Sequence, residues 1–512
     1  MTAATRLSII AAVFAAFLAG LAASGYVCAT ACSVIATAVC VPRWRGRTGW
    51  GWLLLWLRRH RPITLADPRT VANDRAGGGV RFQDGVAVAA VQLLGKPHAA
   101  SLFTGSTSTH TENAFDIRDL QPLMRQSLGL HVDSLSVVST GARRRSTGDY
   151  PRVYDTLLGT PPYAGQRETW VIVRVAVLAN IEALQCRSSI GTATLAVAQR
   201  ISAAMRQQGV RAKVATATDI VELERRLGRS ALHVGNRRWR CVRADGGWLT
   251  TYWYRPEGIT SAALAQAWML RVDGITQNIT LFADGGVAAT LTVRSAQPPT
   301  APPSTLLQTL PGEQADAVVA SLCGPLPQLR GVRRGLLTES VVVAVGPSGV
   351  LLGKVGAGNR LMLPLDDPGE FSRVHIAADD ALAKRIVVRL AGTGERITVH
   401  TRNLERWASV RMPDVAVTDA AKPIAGTTVS VVDGTVTPTP RPNTVISVGE
   451  RDVAYRGFAS VLITQNGAGT VEVLAAGQSH TVEIELFRAE NRYVSTEPVS
   501  LRSGDLEPVD VS

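Results

Sequence analysis

A stretch of 35 residues without a charged side chain, from Leu7 to Val41, constrains this chain more than any other feature of its sequence. As one straight helix it would be about 52 Å long, well beyond the roughly 30 Å of a bilayer's hydrocarbon core. The stretch is broken at Ala23-Ser24-Gly25-Tyr26, where serine, glycine and an interfacial aromatic residue favour a turn. The segment therefore predicts two short transmembrane helices, over residues 7–23 and 26–42, joined by a tight loop.

The residues on either side of this stretch indicate its orientation. Arg6 precedes the first predicted helix, and Arg43, Arg45 and Arg47 follow the second. Because basic flanks favour the cytoplasmic side, we expect both ends in the cytoplasm, in a plasma-membrane protein with two spans and a mostly cytoplasmic chain. A cleaved signal peptide is the main alternative, with small residues at 22–24 as its cleavage site. The second apolar run and the basic stretch after it argue against that alternative.

The segment after the apolar stretch is rich in arginine and tryptophan. Residues 1–62 hold seven arginines and no acidic residue, which is more than half of the net charge of +13. Anionic lipid attracts each such side chain by about 1 kcal/mol, and tryptophan favours the headgroup region. We therefore predict a belt at the inner membrane surface that contacts anionic lipid, or, as an alternative, packs against membrane helices of another protein. The predicted interface residues are Arg43, Trp44, Arg45, Arg47, Trp50, Trp52, Trp56, Arg58 and Arg59.

Composition limits the remaining classes of protein. A chain of 512 residues, 46% hydrophobic and 19% charged, is typical of two or three globular units. Its six cysteines have no metal-ligand spacing and fit a reducing cytoplasm. The basic charge lies beside the apolar segment instead of on a predicted folded face, so nucleic acid is not an expected partner.

The region after residue 76 has the pattern of an α/β fold, a mixed sheet with flanking helices. Strands at 80–83 and 86–94 flank an Asp84-Gly85 turn, and residues 169–177 are a strongly strand-forming run. Residues 190–208 have helical spacing, which implies helices covering a sheet. We further predict a helix over 120–128, a loop over 141–166, a helix over 305–323 and a strand over 385–390.

Composition shifts divide the chain, and the Pro-rich stretch before residue 305 is the clearest boundary. The part after residue 412 is β-rich, with repeated hairpin signals. The predicted divisions are 1–45 (two transmembrane helices), 46–75 (basic Trp-rich interfacial segment), 76–296 (α/β cytoplasmic domain), 297–304 (Pro-rich linker), 305–412 (second β-rich or α+β domain) and 413–512 (β-rich C-terminal region).

No catalytic, metal or cofactor site is predicted. Residues 346–355 resemble a phosphate-binding loop, but Ser348 falls where its first glycine belongs and Val355 where Ser or Thr must reach magnesium. A β-hairpin with glycine turns explains this segment better. His400 and Trp407 are interpreted as packing residues.

One part of the sequence is similar to a known family. The run from Gln166 to Val175, the Cys186-Arg187 pair, the helix ending at Gly209 and the run from Ala215 to Ile220 resemble the EccE component of actinobacterial type VII (ESX) secretion systems. The similarity covers about residues 165–260, and residues 1–95 by architecture.

The resemblance implies a structural subunit without catalysis of its own, in a plasma-membrane secretion complex. Its implied partners are the membrane components EccB and EccD, the motor ATPase EccC and, as a further candidate, the mycosin protease. In that family EccE lies toward the outside of the assembly. We expect the membrane segment to anchor the protein and a sheet face of residues 80–295 to dock a neighbouring domain.

Two other functions remain open on the sequence. A membrane-tethered enzyme of glycosyltransferase type would need an acidic metal-binding motif, for which Asp284 is the loose match and a hairpin turn the better explanation. A peripheral DNA-binding protein would need a basic face on the soluble region and a salt-dependent affinity.

Overall fold

The structure is a computed structural model of the chain. It describes residues 3–41, 43–44, 47–59, 61–74, 76–105, 108–145, 148–356, 358–367, 369–434, 436–440, 444–449 and 459–494. The helices are α1 Ala3–Ser24, α2 Tyr26–Cys40, α3 Gly49–Arg58, α4 Asp149–Leu158, α5 Ile181–Gln185, α6 Ile190–Gln207, α7 Ala217–Leu227, α8 Ser261–Gln266, α9 Gln314–Ala320, α10 Asp380–Thr393 and α11 Asn491–Val494.

The strands of the described residues fall into two large sheets and two small strand pairs. Those up to residue 295 are β1 Arg43–Trp44, β2 Arg47–Thr48, β3 Arg69–Ala72, β4 Gly77–Gln83, β5 Val86–Leu93, β6 Ser101–Thr104, β7 Ser108–Thr111, β8 Ala114–Asp116, β9 Ser134–Ala142, β10 Gln166–Ala176, β11 Ala212–Val214, β12 Val242–Ala244, β13 Gly247–Tyr254, β14 Gly274–Phe282 and β15 Gly286–Ser295. The later ones are β16 Leu307–Thr309, β17 Gly335–Leu336, β18 Val342–Ala344, β19 Val350–Val355, β20 Asn359–Leu363, β21 Ser372–Ala377, β22 Ile397–Thr401, β23 Val415–Thr418, β24 Val429–Asp433, β25 Thr444–Val448, β26 Val461–Gly467, β27 Thr470–Ala475 and β28 Gln478–Ile484.

The first sheet has the order β12-β13-β15-β14-β9-β10-β5-β4-β3, with β11, β16 and β17 attached to β5, β13 and β15. Its neighbouring strands run antiparallel. On β5, Val91 points into a core with Leu195 of α6, while Val88 points the other way, toward Leu223 of α7 and Val319 of α9. This alternation follows from the two-residue period of a strand. Helices therefore cover both faces of the central strands.

This covering limits where a partner can meet the sheet. Along the central strands both faces are closed, because Ala89 of β5 and Trp170 of β10 are buried on opposite sides by the chain's own helices. Docking of a neighbouring domain on a sheet face of residues 80–295 stays a prediction.

The second sheet mixes parallel and antiparallel strands in the order β23-β22-β24-β25-β21-β26-β27-β28-β19-β20-β6-β7. The strands from β23 to β26 pair in parallel, and the others pair antiparallel. The helix α10 packs against this sheet through Ile386, Val387 and Leu390. The body outside the N-terminal helices is thus rich in sheet, and one of its two large sheets is mixed.

The two sheets exchange segments along the chain. The β6–β7 hairpin precedes most of the first sheet in sequence, yet β6 pairs with β20 of the second sheet. In the other direction, β16 lies after the Pro-rich stretch and pairs with β13. The pairing crosses the predicted boundary at 297–304, and the domain divisions stay predictions.

Several predicted elements are confirmed. Helix α6 begins at Ile190 as its spacing indicates, because Ser189 caps it by accepting a hydrogen bond from the Thr192 amide. The Asp84-Gly85 turn joins β4 and β5, and both residues have positive φ. The segment that resembles a phosphate-binding loop is the β19–β20 hairpin.

Other predicted elements are wrong. The expected helix over 120–128 is replaced by short 3-10 turns interrupted at Leu128, which has φ 55°. The expected loop over 141–166 contains α4, and the expected helix over 305–323 shortens to α9 after β16. The expected strand over 385–390 lies inside α10, which Asp379 caps through the Leu382 amide. In that segment the cap and the tertiary packing outweigh the β-branched composition.

A buried acidic cluster lies where the two sheets meet. Glu395, next to the end of α10, is 8% exposed and accepts a hydrogen bond from Thr428. Burial raises its pKa to about 7, and the neighbouring Asp366 carboxyl and the Gln166 side chain of β10 also act on it. Asp366 is half-buried, and its low-dielectric surroundings raise its pKa as well. Between the ordinary pKa of glutamate and about pH 7, the folded protein therefore keeps a proton on Glu395 that the unfolded chain releases.

This retained proton makes stability depend on pH. The stabilisation is complete below the ordinary pKa of glutamate and is lost as pH rises toward about 7. We expect Glu395→Gln to raise the free energy of unfolding at pH 8 by on the order of 2 kcal/mol and to leave it almost unchanged at pH 5. Thermal unfolding of the detergent-purified chain between pH 5 and 8 measures this, with exposed Glu405→Gln as the matched control. Equal pH profiles for wild type and Glu395→Gln would contradict the prediction.

Candidate membrane-anchor site

The N-terminal helices α1 and α2 form an antiparallel hairpin. A Cβ on Gly20 would lie 2.7 Å from the Cα of Ala29, so glycine is needed for this close approach. Large apolar side chains point away from the hairpin, among them Leu7 and Phe14, which are 70% and 61% exposed. Residues 6–23 are long and apolar enough to cross a membrane, whereas α2 is an apolar helix of 15 residues.

Helix α3 follows the hairpin and has an apolar exposed face. Thr48 caps its start by accepting a hydrogen bond from the Gly51 amide at 3.2 Å. Leu53, Trp56 and Leu57, spaced as one helix face, are 44%, 49% and 57% exposed. The guanidinium of Arg59 lies 4.5 Å from the Trp56 ring centroid. An apolar face with a cation at its edge is typical of a helix that lies in a membrane interface.

The other face of α3 and the residues before it contact the large body. Arg47 donates a charge-assisted hydrogen bond to Glu313, and both side chains are buried. The Glu313 carboxylate also accepts the backbone amides of Arg330 and Gly331, each at 2.9 Å. One carboxylate from the body thus fixes the segment that leaves the membrane helices.

Aromatic contacts extend this junction. The rings of Trp52 and Trp239 lie 5.8 Å apart and are tilted by 41°. The Arg47 guanidinium lies 5.1 Å from the Trp52 ring centroid, within the range of a cation–π interaction. The α3 segment is therefore held on the body by an ion pair and by a tilted pair of tryptophan rings.

The structure brings most of the predicted interface residues into one short region but gives them different surroundings. The backbones of Arg43 and Trp44 form β1 and pair with β2, and Arg45 lies outside the described residues. Arg47 is a buried structural side chain, Trp50 and Trp52 are half-buried, and Trp56 and Arg59 are exposed. The backbone of Arg58 ends α3. Their placement in a bilayer stays a prediction.

Sequence reasoning missed the residues of the body that hold this region. Glu313 is 266 positions from Arg47, and Trp239 is in a basic stretch with no aromatic pattern around it. The lack of any acidic residue in 1–62 is the one available signal, because a buried arginine there must take its counter-ion from a distant segment.

The residues weighed for chemistry have structural surroundings. The Asp284 carboxylate accepts the Gly286 amide at 2.9 Å in the β14–β15 turn and is 67% exposed. His400 is buried in β22, and the Trp407 indole donates to Asp433 at 2.7 Å. Among the described residues, no group of three His, Cys, Asp or Glu side chains could hold a metal ion.

The chain joins apolar N-terminal helices to a large sheet-rich body, and a helix of the length and composition of residues 6–23 is typical of a membrane protein. Residues 163–254 match the family model described as "Putative type VII ESX secretion system translocon, EccE". The ESX-2 secretion system protein EccE2 of Mycobacterium tuberculosis (strain CDC 1551 / Oshkosh) is 48% identical over 96% of this chain and 96% of that protein. This chain belongs to the EccE family of type VII (ESX) secretion proteins.

More distant relatives carry the same family name. The ESX-1 secretion system protein EccE1 of Mycobacterium tuberculosis (strain ATCC 25618 / H37Rv) is 25% identical over 69% of this chain and 73% of that protein. The ESX-5 secretion system protein EccE5 of Mycobacterium marinum (strain ATCC BAA-535 / M) is 25% identical over 22% of this chain and 28% of that protein.

The buried ion pair predicts how the junction responds to mutation. Glu313→Gln leaves Arg47 buried without a counter-ion, a change that costs about 3–5 kcal/mol in buried pairs. We expect a lower thermal unfolding temperature and faster tryptic cleavage at residues 43–61. Glu257→Gln, at an exposed glutamate near the same surface, is the matched control and should cleave at the wild-type rate. Cleavage of Glu313→Gln at the wild-type rate would show that the pair does not hold the junction.

Proposed function

We propose that this protein is a structural subunit of a type VII (ESX) secretion complex in the plasma membrane, with no catalysis of its own. The observation that carries this proposal is the match to an ESX-2 secretion system protein over 96% of both chains. Its partners are other components of that complex: EccB, the EccC ATPase, EccD and the mycosin protease.

The proposed role of the N-terminal region is anchoring. Helices α1 and α2 cross the membrane as a hairpin, both ends are cytoplasmic, and the body lies in the cytoplasm. At about 22 Å, α2 is short for a span, so local thinning or packing against partner helices accompanies its insertion. Helix α3 then lies at the inner surface, since its exposed face is apolar and its other face contacts the body.

The proposed docking surface is an exposed apolar patch formed by Leu128, Leu178 and Ile181. These side chains are 73%, 83% and 54% exposed. Two connections hold the patch together: Arg187 donates to the carbonyl of Ser127 at 2.7 Å, and Asn180 accepts the His131 amide at 2.7 Å. A rigid apolar surface on loops at the end of a sheet suits a protein partner, because exposed apolar patches commonly mark interaction sites.

A membrane-tethered glycosyltransferase is the alternative function, and the surroundings of Asp284 weigh against it. That carboxylate is occupied by the turn amide of Gly286 and lies 3.7 Å from Arg334. Bound nucleotide-sugar would favour this alternative.

The proposal predicts a large assembly. The tagged full-length chain, purified from its native host in mild detergent, should run in a megadalton band on a native gel. Mass spectrometry should identify an FtsK-like ATPase and a multi-span membrane protein in the same band. If the chain runs alone or as a small oligomer in several detergents, the structural-subunit proposal is wrong.

The docking patch is tested in the same assay with a double variant. Leu178→Gln with Ile181→Gln should lower recovery in the megadalton band by about tenfold or more, since burial of each of these apolar side chains against a partner contributes roughly 1.5–3 kcal/mol. Leu336→Gln with Leu404→Gln changes two exposed leucines elsewhere and should leave recovery unchanged. Equal recovery of the two variants, with equal unfolding temperatures, would place docking on another surface.

A further inference from the structure

Two grooves flank helix α3 where it meets the body. One has a volume of about 720 Å³ and is lined by Leu54, Leu55 and Arg59 of the anchor side and by Arg237 and Arg238 of the body. The other has a volume of about 830 Å³ and lies between Trp52 and Trp253. Arg330 lines both grooves, so the two form one continuous surface around α3.

The surface has a strong excess of positive charge. Among the residues that the structure describes, eight arginines and three acidic residues line the two grooves together, and one of those acids, Glu313, is already paired with Arg47. The arginines come from separate parts of the chain, so no single run of the sequence contains them all. We call the two grooves and their arginines the arginine cleft; its members are Arg47, Arg59, Arg61, Arg237, Arg238, Arg255, Arg330 and Arg333.

Several of these guanidinium groups have hydrogen-bonding capacity left over. Within the described part of the chain, the side chains of Arg255, Arg330 and Arg333 form no hydrogen bond or ion pair. The Nη1 atom of buried Arg47 likewise has no hydrogen-bond partner among the described residues. An isolated buried donor is costly, so a site with such a group is suited to an anion that accepts from it.

The location of the cleft selects the kind of anion. The exposed face of α3, with Leu53, Trp56 and Leu57, turns its apolar side chains outward immediately beside the grooves. Tryptophan rings at Trp52 and Trp253 line the second groove. Apolar and indole groups next to arginines match the acyl–headgroup boundary of a lipid.

We propose that the arginine cleft binds the phosphate headgroup of anionic membrane lipid, with the acyl chains beside the exposed face of α3. This inference rests on the proposed membrane placement of α3, and it adds body residues from three distant segments to the interface. Bidentate hydrogen bonds from guanidinium groups to phosphate oxygens supply the recognition. The site would hold individual lipids at the junction that Arg47 and Glu313 form.

Nucleic acid is the other polyanion that a basic surface attracts. A nucleic-acid site would need room for a duplex or a strand over several phosphates, whereas these grooves border an apolar helix face that must be shielded from water. The charge and the apolar face together favour lipid.

The test uses the full-length chain in neutral detergent, with native mass spectrometry to count bound lipids. The probes are dioctanoyl phosphatidylglycerol, dioctanoyl phosphatidylcholine, inorganic phosphate and a single-stranded oligonucleotide. The wild-type chain should bind phosphatidylglycerol at least tenfold more tightly than phosphatidylcholine. The triple variant Arg255→Gln, Arg330→Gln, Arg333→Gln should lose about tenfold or more of that affinity, because each arginine contributes a factor of about five near an anionic lipid.

Two further variants test whether the positive charge of the cleft arginines, and not a change in the fold, accounts for lipid binding. Arg373→Gln, Arg402→Gln and Arg411→Gln remove three exposed arginines that line neither groove, and this control should bind phosphatidylglycerol as the wild type does. The charge-preserving triple Arg255→Lys, Arg330→Lys, Arg333→Lys should bind more tightly than the glutamine triple and more weakly than the wild type, because it keeps the charge but loses the bidentate hydrogen bonds. All variants should keep the wild-type unfolding temperature, since the three side chains have no partner among the described residues.

Each other outcome overturns the proposal. Equal affinity for the two lipids, or equal loss in both glutamine triples, would remove the cleft as a lipid site. Competition by inorganic phosphate at equal concentration would assign it to free anions, and tighter binding of the oligonucleotide would assign it to nucleic acid. Lipid binding is measured on the isolated chain, and the assembly is measured separately on the native gel. A lipid preference in the first experiment with no megadalton band in the second would refute the proposed subunit function and leave the lipid site in place.

Discussion

Buried arginines join segments that are far apart in the sequence. Arg47 connects the anchor to Glu313, and Arg81 of β4 donates to Glu224 of α7 at 2.9 Å through Nη2. Arg389 of α10 donates to Glu490, near the end of the described chain, at 2.8 Å. A guanidinium group is planar, permanently charged and able to donate in several directions, so one side chain can satisfy a carboxylate and backbone carbonyls together. Removal of one partner leaves a buried charge, and the architecture therefore depends on both members of each pair.

The same physics limits what could be predicted from the sequence. Local signals were sufficient for the Asp84-Gly85 hairpin and for α6, because a turn residue, a cap and a period are all contained in a few neighbouring residues. They failed for α10, where Asp379 and packing on the second sheet outweigh the local strand preference. They failed also for residues 120–128, where Leu128 interrupts the helical backbone.

The candidate site shows the same division between local and distant information. Its outer face, with Trp56 and Arg59, belongs to the basic Trp-rich pattern that is visible in the sequence. Its inner face depends on Glu313 and on arginines such as Arg330, which lie more than 250 positions after α3 in the chain. Arg47 belongs to both faces: it is part of the basic pattern predicted at the membrane interface, and its side chain is buried and paired with Glu313. Its placement relative to a bilayer stays a prediction.

The exchange of the β6–β7 hairpin has a consequence for the order of synthesis. Phe103 of β6 is buried in the second sheet, opposite Arg360 of β20, more than 250 positions later in the chain. At about 5–20 residues per second, a ribosome needs roughly 13–50 seconds to produce that partner strand. During this interval the membrane segment has already left the ribosome, while the hairpin still has an unpaired edge. The newly made chain must therefore protect this edge until β20 is made. The β6–β7 hairpin from the first half of the chain reaches its final pairing only with a strand from the second half.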